Sequence, residues 1–310
     1  MRNVDNPPFS DREYWDKSVD TYISGGYARN NNERQLWEYF KYCLQTGNRY
    51  YFEHPLLPRI KELLGKNVIT IPSEMVMYRA RVDRDNELLK INNAHQAVFF
   101  HEEELCDPML ESFVSGYDEY YDYLWEIQNQ PWFLKYRQRL KNGFEGFGKT
   151  DSGAPPNTVA SAGRCNPENV SLLYTAREIH TAVAEIRPYI GDTVSVAQIV
   201  PKHNLKCVNF YYEFDEFGRW CVDDAFFASV SLDFSKINRG DLKQYMATQF
   251  ITMLIQKLGF DGLCFRSSLV NNGMNYVVFN SEKCEPVASK LFTISEVNYY
   301  LKAVSDEICF

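Results

Sequence analysis

The sequence predicts an α/β protein of the α+β kind, a mixed sheet with flanking helices, preceded by a helical N-terminal segment. Short runs rich in β-branched and aromatic residues recur from Asn67 onward, bounded by Gly, Pro and Asn, as strands are. Amphipathic helical patterns stand between them, at Ile179, Ala182, Val183 and Ile186 and again at Leu242, Met246, Phe250, Leu254 and Leu258. No G-x-G-x-x-G follows a strand-like run, so a doubly wound dinucleotide fold is not expected.

Composition sets the outer bounds. The 310 residues are 45% hydrophobic and 15% aromatic, which is enough for a substantial core, either as one large domain or as a domain with a small appendage. A net charge of −8 argues against a general binder of nucleic-acid backbones, though a local basic cleft could hold one small anion. Met1 to Asp20 is polar and charged, and no apolar run reaches about 18 residues, so no membrane partner and a soluble cytoplasmic protein are expected. The 8 cysteines form no C-x-x-C pair, so reduced, mostly buried thiols are expected rather than a zinc site or a disulfide framework.

In chain order, residues 1–66 read as helical. Leu36, Phe40 and Cys43 recur at i, i+4 and i+7, and Pro58 to Leu64 suggests a second short helix ending at Gly65. No Gly/Ser-rich linker separates Leu64 from Asn67, so this segment is expected to dock on the rest of the chain or on a second subunit. A partner-binding or regulatory module is the other reading. Residues 67–310 then form the main domain. Asn67–Pro72 and Met75–Val82 read as strands, with Arg79 and Arg81 on the same face of the second. From about 86 to 152 the chain turns acidic and aromatic, with helices on both sides of Pro131, and reads as a helical insertion. His101 beside Glu102, Glu103 and Glu104 does not make a metal site, because consecutive residues do not converge on one ion.

Gly163-Arg164-Cys165-Asn166-Pro167 reads as a rigid turn that presents a guanidinium. The apolar run Leu172–Tyr174 follows, and Thr175 with Glu178 three residues on has the spacing of a capping box for a helix that closes before Pro188. Glu178, Thr181 and Glu185 lie on its polar edge. Spacing alone does not separate Glu185 from Glu178. Further on, Thr193–Pro201 and Lys206–Tyr212 are strand-like, and Asp241–Leu258 is a long helix that Asp241 caps and Gly259 ends. Leu263–Phe265 and Tyr276–Phe279 pair around the loop from Ser267 to Gly273, and Leu291–Leu301 adds a last strand or short helix.

Four ordered blocks carry a resemblance. They are Met77-Tyr78-Arg79-Ala80-Arg81, then Ala154-Pro155-Pro156 with Gly163-Arg164-x-Asn166-Pro167, then Leu173-Tyr174 with Thr181-Ala182-x-Ala184-Glu185, and last Gly259-Phe260-Asp261-Gly262-Leu263-x-Phe265-Arg266-Ser267-Ser268 with Gly273-x-Asn275-Tyr276. Together they resemble the RES domain family over roughly residues 70–290. His180 stands where that family more often has an acidic residue.

The resemblance implies a fold similar to ADP-ribosyltransferases and NAD⁺ as a substrate, with no metal. It gives Glu185, Arg79 and Ser267 as the signature residues of catalysis. Arg79, Arg81, Arg164, Asn166, Tyr174, Ser267 and Ser268 become candidates for holding the NAD⁺. It also implies an NAD⁺ glycohydrolase or phosphorylase acting as a toxin or defence effector. Phosphate is then a co-substrate to test, and an antitoxin or immunity protein, or a homo-oligomer, a partner to look for. An ADP-ribosyltransferase acting on a macromolecular acceptor and a non-enzymatic NAD-sensing module are the alternatives.

Overall fold

The computed structural model describes residues 8–23, 32–47, 52–104, 118–213, 224–236 and 242–298. Three helices come first, α1 (Arg12–Ile23), α2 (Asn32–Thr46) and α3 (Leu57–Lys66). Pro58 sits in the first turn of α3, where a missing N–H costs no hydrogen bond. Strands β1 (Val68–Ile71) and β2 (Met77–Val82) follow. The insertion supplies α4 (Glu87–Glu104), α5 (Asp118–Gln128) and α6 (Pro131–Lys141), then the single turn α7 (Lys149–Ser152). The remainder alternates: β3 (Leu173–Ala176), α8 (Ile179–Ile186), β4 (Thr193–Pro201), β5 (Leu205–Phe210), α9 (Ala225–Ser235), α10 (Met246–Lys257), β6 (Gly262–Arg266), β7 (Met274–Val278) and β8 (Cys284–Thr293).

All eight strands join one mixed sheet in the order β1-β5-β6-β7-β3-β2-β4-β8, in which only β5 and β6 run parallel. Its weak seam lies between β2 and β3. These two strands pair only at Tyr78 and Ala176, whereas β2 pairs with β4 along its whole length from Met77 to Val82. The sheet therefore opens beside Arg79.

One face of the sheet, with Val208, Phe210, Leu263, Phe265 and Val277, packs on α9, α10 and the three N-terminal helices in a single apolar core. Trp37, Phe40, Phe226 and Phe234 are fully buried there. The N-terminal segment is thus docked, as its apolar stripes require. On the other face Met77, Leu173, Cys207, Cys264, Tyr276 and Val278 form a second cluster. Helix α8 lies on the first face, that of Phe265, and closes over Ala80, Val194 and Val196 through Ala182. Among the described residues Cys43, Cys165, Cys207, Cys264 and Cys284 are free thiols, and burial raises the pKa of each, which leaves them unreactive packing groups.

Several local expectations are corrected. Thr175 is a buried strand residue, and the N-cap position of α8 falls to Glu178, whose side chain makes no capping bond. Thr181, expected on the polar edge of that helix, is fully buried, while Ile179 is exposed. The buried stripe of α10 runs through Ala247, Thr248, Ile251, Thr252, Leu254 and Ile255, so Leu254 is buried as expected, while Leu258 is exposed at the end. Asp241, expected to cap that helix, lies outside the described residues. The last strand starts at Cys284 rather than near Leu291, because it must run the length of β4. Helix α9 has no counterpart among the sequence-based expectations. Its run of Phe, Ala, Ser and Val shows no polar face because it is buried almost all round, and only Asp224, which accepts the Phe227 N–H at 2.9 Å, marks its start.

Candidate active site

Glu185 stands in the last turn of α8, and Arg187 just beyond it turns the chain with a left-handed φ of 50° before Pro188. Two donors converge on one carboxylate oxygen. Ser267, at the end of β6, gives its hydroxyl proton to Glu185 Oε1 at 2.8 Å, and Asn275 of β7 donates from Nδ2 to the same atom at 2.6 Å. The Ser267 oxygen in turn accepts the backbone N–H groups of Leu269 and Val270 at 3.1 and 3.2 Å. With its lone pairs so taken, the hydroxyl can only donate, and it donates to Glu185. Ser267 and Asn275 are both buried. Gly273 makes the approach possible, since a Cβ there would lie 2.9 Å from Thr181 Oγ1 and 3.0 Å from Ser267 Cβ.

Glu185 lines a cleft of about 280 Å³ at the seam between β2 and β3, together with Arg79, Arg164, Arg187, Tyr174 and Phe265. Arg79 reaches across the seam and donates from Nη1 to the Tyr174 carbonyl at 3.0 Å, taking the place of a strand partner. Its Nε is buried with no hydrogen-bond partner among the described residues. Burial, with the repulsion of Arg81 added, lowers its pKa to about 10, so it stays charged at neutral pH. An arginine so placed is a charge in want of an anion.

Arg164 is held from several sides. Its Nη2 donates to the Lys236 carbonyl at 2.6 Å, its guanidinium lies 4.9 Å from the centre of the Phe265 ring, and its Nε has no partner among the described residues. The loop beneath it is fixed by Asn166, whose amide nitrogen donates to the carbonyls of Ser161, Pro167 and Val170 at 2.8 to 3.0 Å. Tyr174 donates its hydroxyl to Asn166 Oδ1 at 2.6 Å and accepts the Cys165 N–H at 3.0 Å, and burial raises its pKa well above the ordinary value. Helix α10 completes the anchor: Gln249 donates to the Gly163 and Asn166 carbonyls at 2.8 and 2.9 Å, and Thr248 to the Arg164 carbonyl at 2.7 Å.

The residues singled out in the sequence therefore divide. Glu185, Arg79, Arg164 and Tyr174 meet in one cleft, and Ser267 touches it through Glu185. Asn166 spends its side chain on the loop. Arg81 donates to the Asp151 carbonyl and lies 5.2 Å from the centre of the Phe147 ring, away from the cleft. Ser268 is exposed and lines an adjoining depression with Ser235, Lys236 and Arg266. Arg187, Tyr245, Phe265 and Asn275 belong to the site without having been assigned a role in advance. For Asn275 a signal existed, in the Gly273-x-Asn275 block. Among the described residues no group of His, Cys, Asp and Glu is placed to hold a metal ion, and no helix is long and apolar enough to cross a membrane.

A mixed sheet opened at one seam, with a clamped carboxylate beside several arginines, defines an α/β protein with an anion-attracting cleft there. The family model of the RES domain matches residues 124–300, more than half of the chain, and the protein belongs to the RES domain family. The matched span takes in Glu185 and Ser267 but not Arg79, which the fold delivers to the same cleft from upstream. No curated protein matches the chain.

Proposed function

We propose that the protein cleaves NAD⁺ at the nicotinamide–ribose bond and passes the ADP-ribosyl group to water or to inorganic phosphate. The observation that carries this reading is the clamped Glu185: Ser267 and Asn275 fix one oxygen of a carboxylate inside a cleft that Arg79, Arg164 and Arg187 also line. The unpartnered Nε atoms of Arg79 and Arg164 fit a diphosphate, which takes charge-assisted hydrogen bonds from guanidinium forks. Tyr174 and Phe265 offer ring faces against which a planar heterocycle can stack.

Loss of nicotinamide builds positive charge on the ribose. Glu185 interacts more strongly with that charge than with the neutral ground-state sugar, and this difference accelerates the reaction. Ser267 and Asn275 hold the carboxylate in place, so no reorganisation is needed as charge develops. The family is generally associated with NAD-related toxin or effector activity. Depletion of NAD⁺ would make this chain such an effector, with an antitoxin or immunity protein as its partner.

The test is incubation of the purified protein with NAD⁺, with and without phosphate and macromolecular acceptors. Release of nicotinamide with free ADP-ribose indicates hydrolysis, and with its 1″-phosphate, phosphorolysis. ADP-ribose retained on an acceptor would establish the transferase reading instead. Absence of nicotinamide release under every condition would overturn the proposal.

A further inference from the structure

Asp233 connects the N-terminal segment to the cleft. It lies in the last turn of α9, where a carboxylate opposes the negative end of the helix dipole and needs compensating cations. Two cations and one neutral donor surround it. Trp37 Nε1 and Lys41 Nζ, both on α2, donate to Asp233 Oδ2 at 2.8 Å each, and Lys236 Nζ reaches Oδ1. Burial alone would raise the Asp233 pKa, but Lys41 and Lys236 hold it below the usual carboxylate range, so the hub is ionised at neutral pH.

Lys236 is the C-cap residue of α9, and its carbonyl is the acceptor for Arg164 Nη2. The chain of contacts thus runs from Trp37 and Lys41 through Asp233 and Lys236 to Arg164 at the cleft wall. Tyr245 lies alongside, lining both the cleft and a second depression formed by Lys41, Asp233 and Lys236. Trp37 and Lys41 lie outside the span that matches the family. The link thus joins residues outside the matched span to residues inside it.

We propose that Asp233 is a positioning residue, which uses the N-terminal helix α2 to fix the end of α9 and so sets the Arg164 guanidinium for an anionic ligand. Through it the N-terminal segment takes part in substrate binding as well as in packing. The proposal rests on the reading of the cleft as an NAD⁺ site, and its test separates the two.

The experiment is a double-mutant cycle of Asp233→Asn and Arg164→Ala in the full-length protein, reading KM and kcat for NAD⁺. Asp233→Asn keeps the shape and removes the charge. A rise in KM of about tenfold with kcat within about twofold is expected, the loss of one charge-assisted hydrogen bond to the ligand. In the Arg164→Ala background the same substitution should leave KM unchanged. Trp37→Phe, which keeps a ring in the core and removes one donor to Asp233, serves as a milder variant should Asp233→Asn fail to fold, and should shift KM in the same direction. An unchanged KM in the single variant, or an equal rise in the Arg164→Ala background, would overturn the proposal. If the wild-type protein does not consume NAD⁺, the functional reading falls, and the link is judged by calorimetry with inorganic pyrophosphate. Weaker pyrophosphate binding by Asp233→Asn supports it, and unchanged or absent binding in both proteins overturns it.

Discussion

Glu185 and Ser267, 82 residues apart in the chain, meet through a hydrogen bond of 2.8 Å in which the serine can act only as donor. Ser267 thus holds the carboxylate: its proton is directed at Glu185, and its oxygen is engaged by the Leu269 and Val270 N–H groups. Both donors to Glu185 sit on strands β6 and β7 or at their ends, so the rigidity of the sheet is passed to the carboxylate.

Replacing Glu185 by Gln keeps the size of the side chain and removes its charge. Turnover of NAD⁺ should fall by about 10²-fold or more, the scale of removing a preorganised electrostatic group, with KM little changed. Steady-state kinetics on the purified variant reads both. Wild-type turnover by the Glu185→Gln variant would show that the carboxylate has no part in the chemistry.

Arg79 makes a different contribution. Its charge is buried at the seam with one backbone acceptor and an idle Nε, so an anion in the cleft gains a desolvated partner. Arg79→Ala should weaken NAD⁺ binding by about 1.5–3 kcal/mol, and Arg79→Lys should restore only part because lysine lacks the fork. Calorimetric titration of the three proteins checks this, and equal affinities would move the anion contact to Arg164 or Arg187.

The family blocks around Glu185, Ser267 and Arg164 were legible because they depend on local patterns: a turn of Gly, Asn and Pro, a short helix after a strand, and a strand ending in Ser. The seam between β2 and β3 was not, since strand order depends on pairings such as Tyr78 with Ala176 that lie far apart in sequence. For the same reason Arg79 and Arg81 looked equivalent on one strand, yet only Arg79 stands at the opening, while Arg81 is drawn to Phe147 and the Asp151 carbonyl. The structural use of Asn166 also escaped notice, because an asparagine in a turn shows nothing of the Tyr174 hydroxyl that claims its oxygen. Helix α9 escaped for the reason that makes it central: burial on nearly every side erases periodicity.

The N-terminal core contains an acid-sensitive group. His54 is buried among Tyr39, Phe40 and Phe52, and its Nδ1 accepts the Leu56 N–H at 3.2 Å, so that nitrogen must be unprotonated. Burial lowers its pKa from the ordinary 6.5 to about 4. As pH falls, the unfolded chain takes up this proton first. The contribution of His54 is therefore complete above about pH 6.5 and is lost progressively towards about pH 4. The loss should be on the order of 3 kcal/mol. Denaturant melts across that range should show a steeper acid decline for the wild-type protein than for His54→Gln, which cannot titrate. Parallel profiles would remove His54 as the cause.

The largest effect is expected from removing residues 1–67, so that the chain begins at Val68. Trp15, Leu36, Trp37, Phe40, Leu56, Ile60 and Leu64 are all buried in the core that also holds Phe210, Phe226 and Phe234. Burying each large apolar side chain stabilises by about 1.5–3 kcal/mol, so these residues together match or exceed the whole net stability of a typical domain, roughly 5–15 kcal/mol. Two polar anchors go with them, the Arg59 bond to Asp224 at the N-cap of α9 and the Trp37 bond to Asp233 near its end. Helix α9 would be left with an uncovered apolar face, and such a patch drives association. The shortened protein should be poorly soluble or melt far below the full-length chain, as calorimetry and size-exclusion chromatography would show. A shortened chain that melts like the full-length protein and matches it in the proposed NAD⁺ cleavage would mean that the shared core contributes little and that the N-terminal helices only rest on a domain able to stand without them.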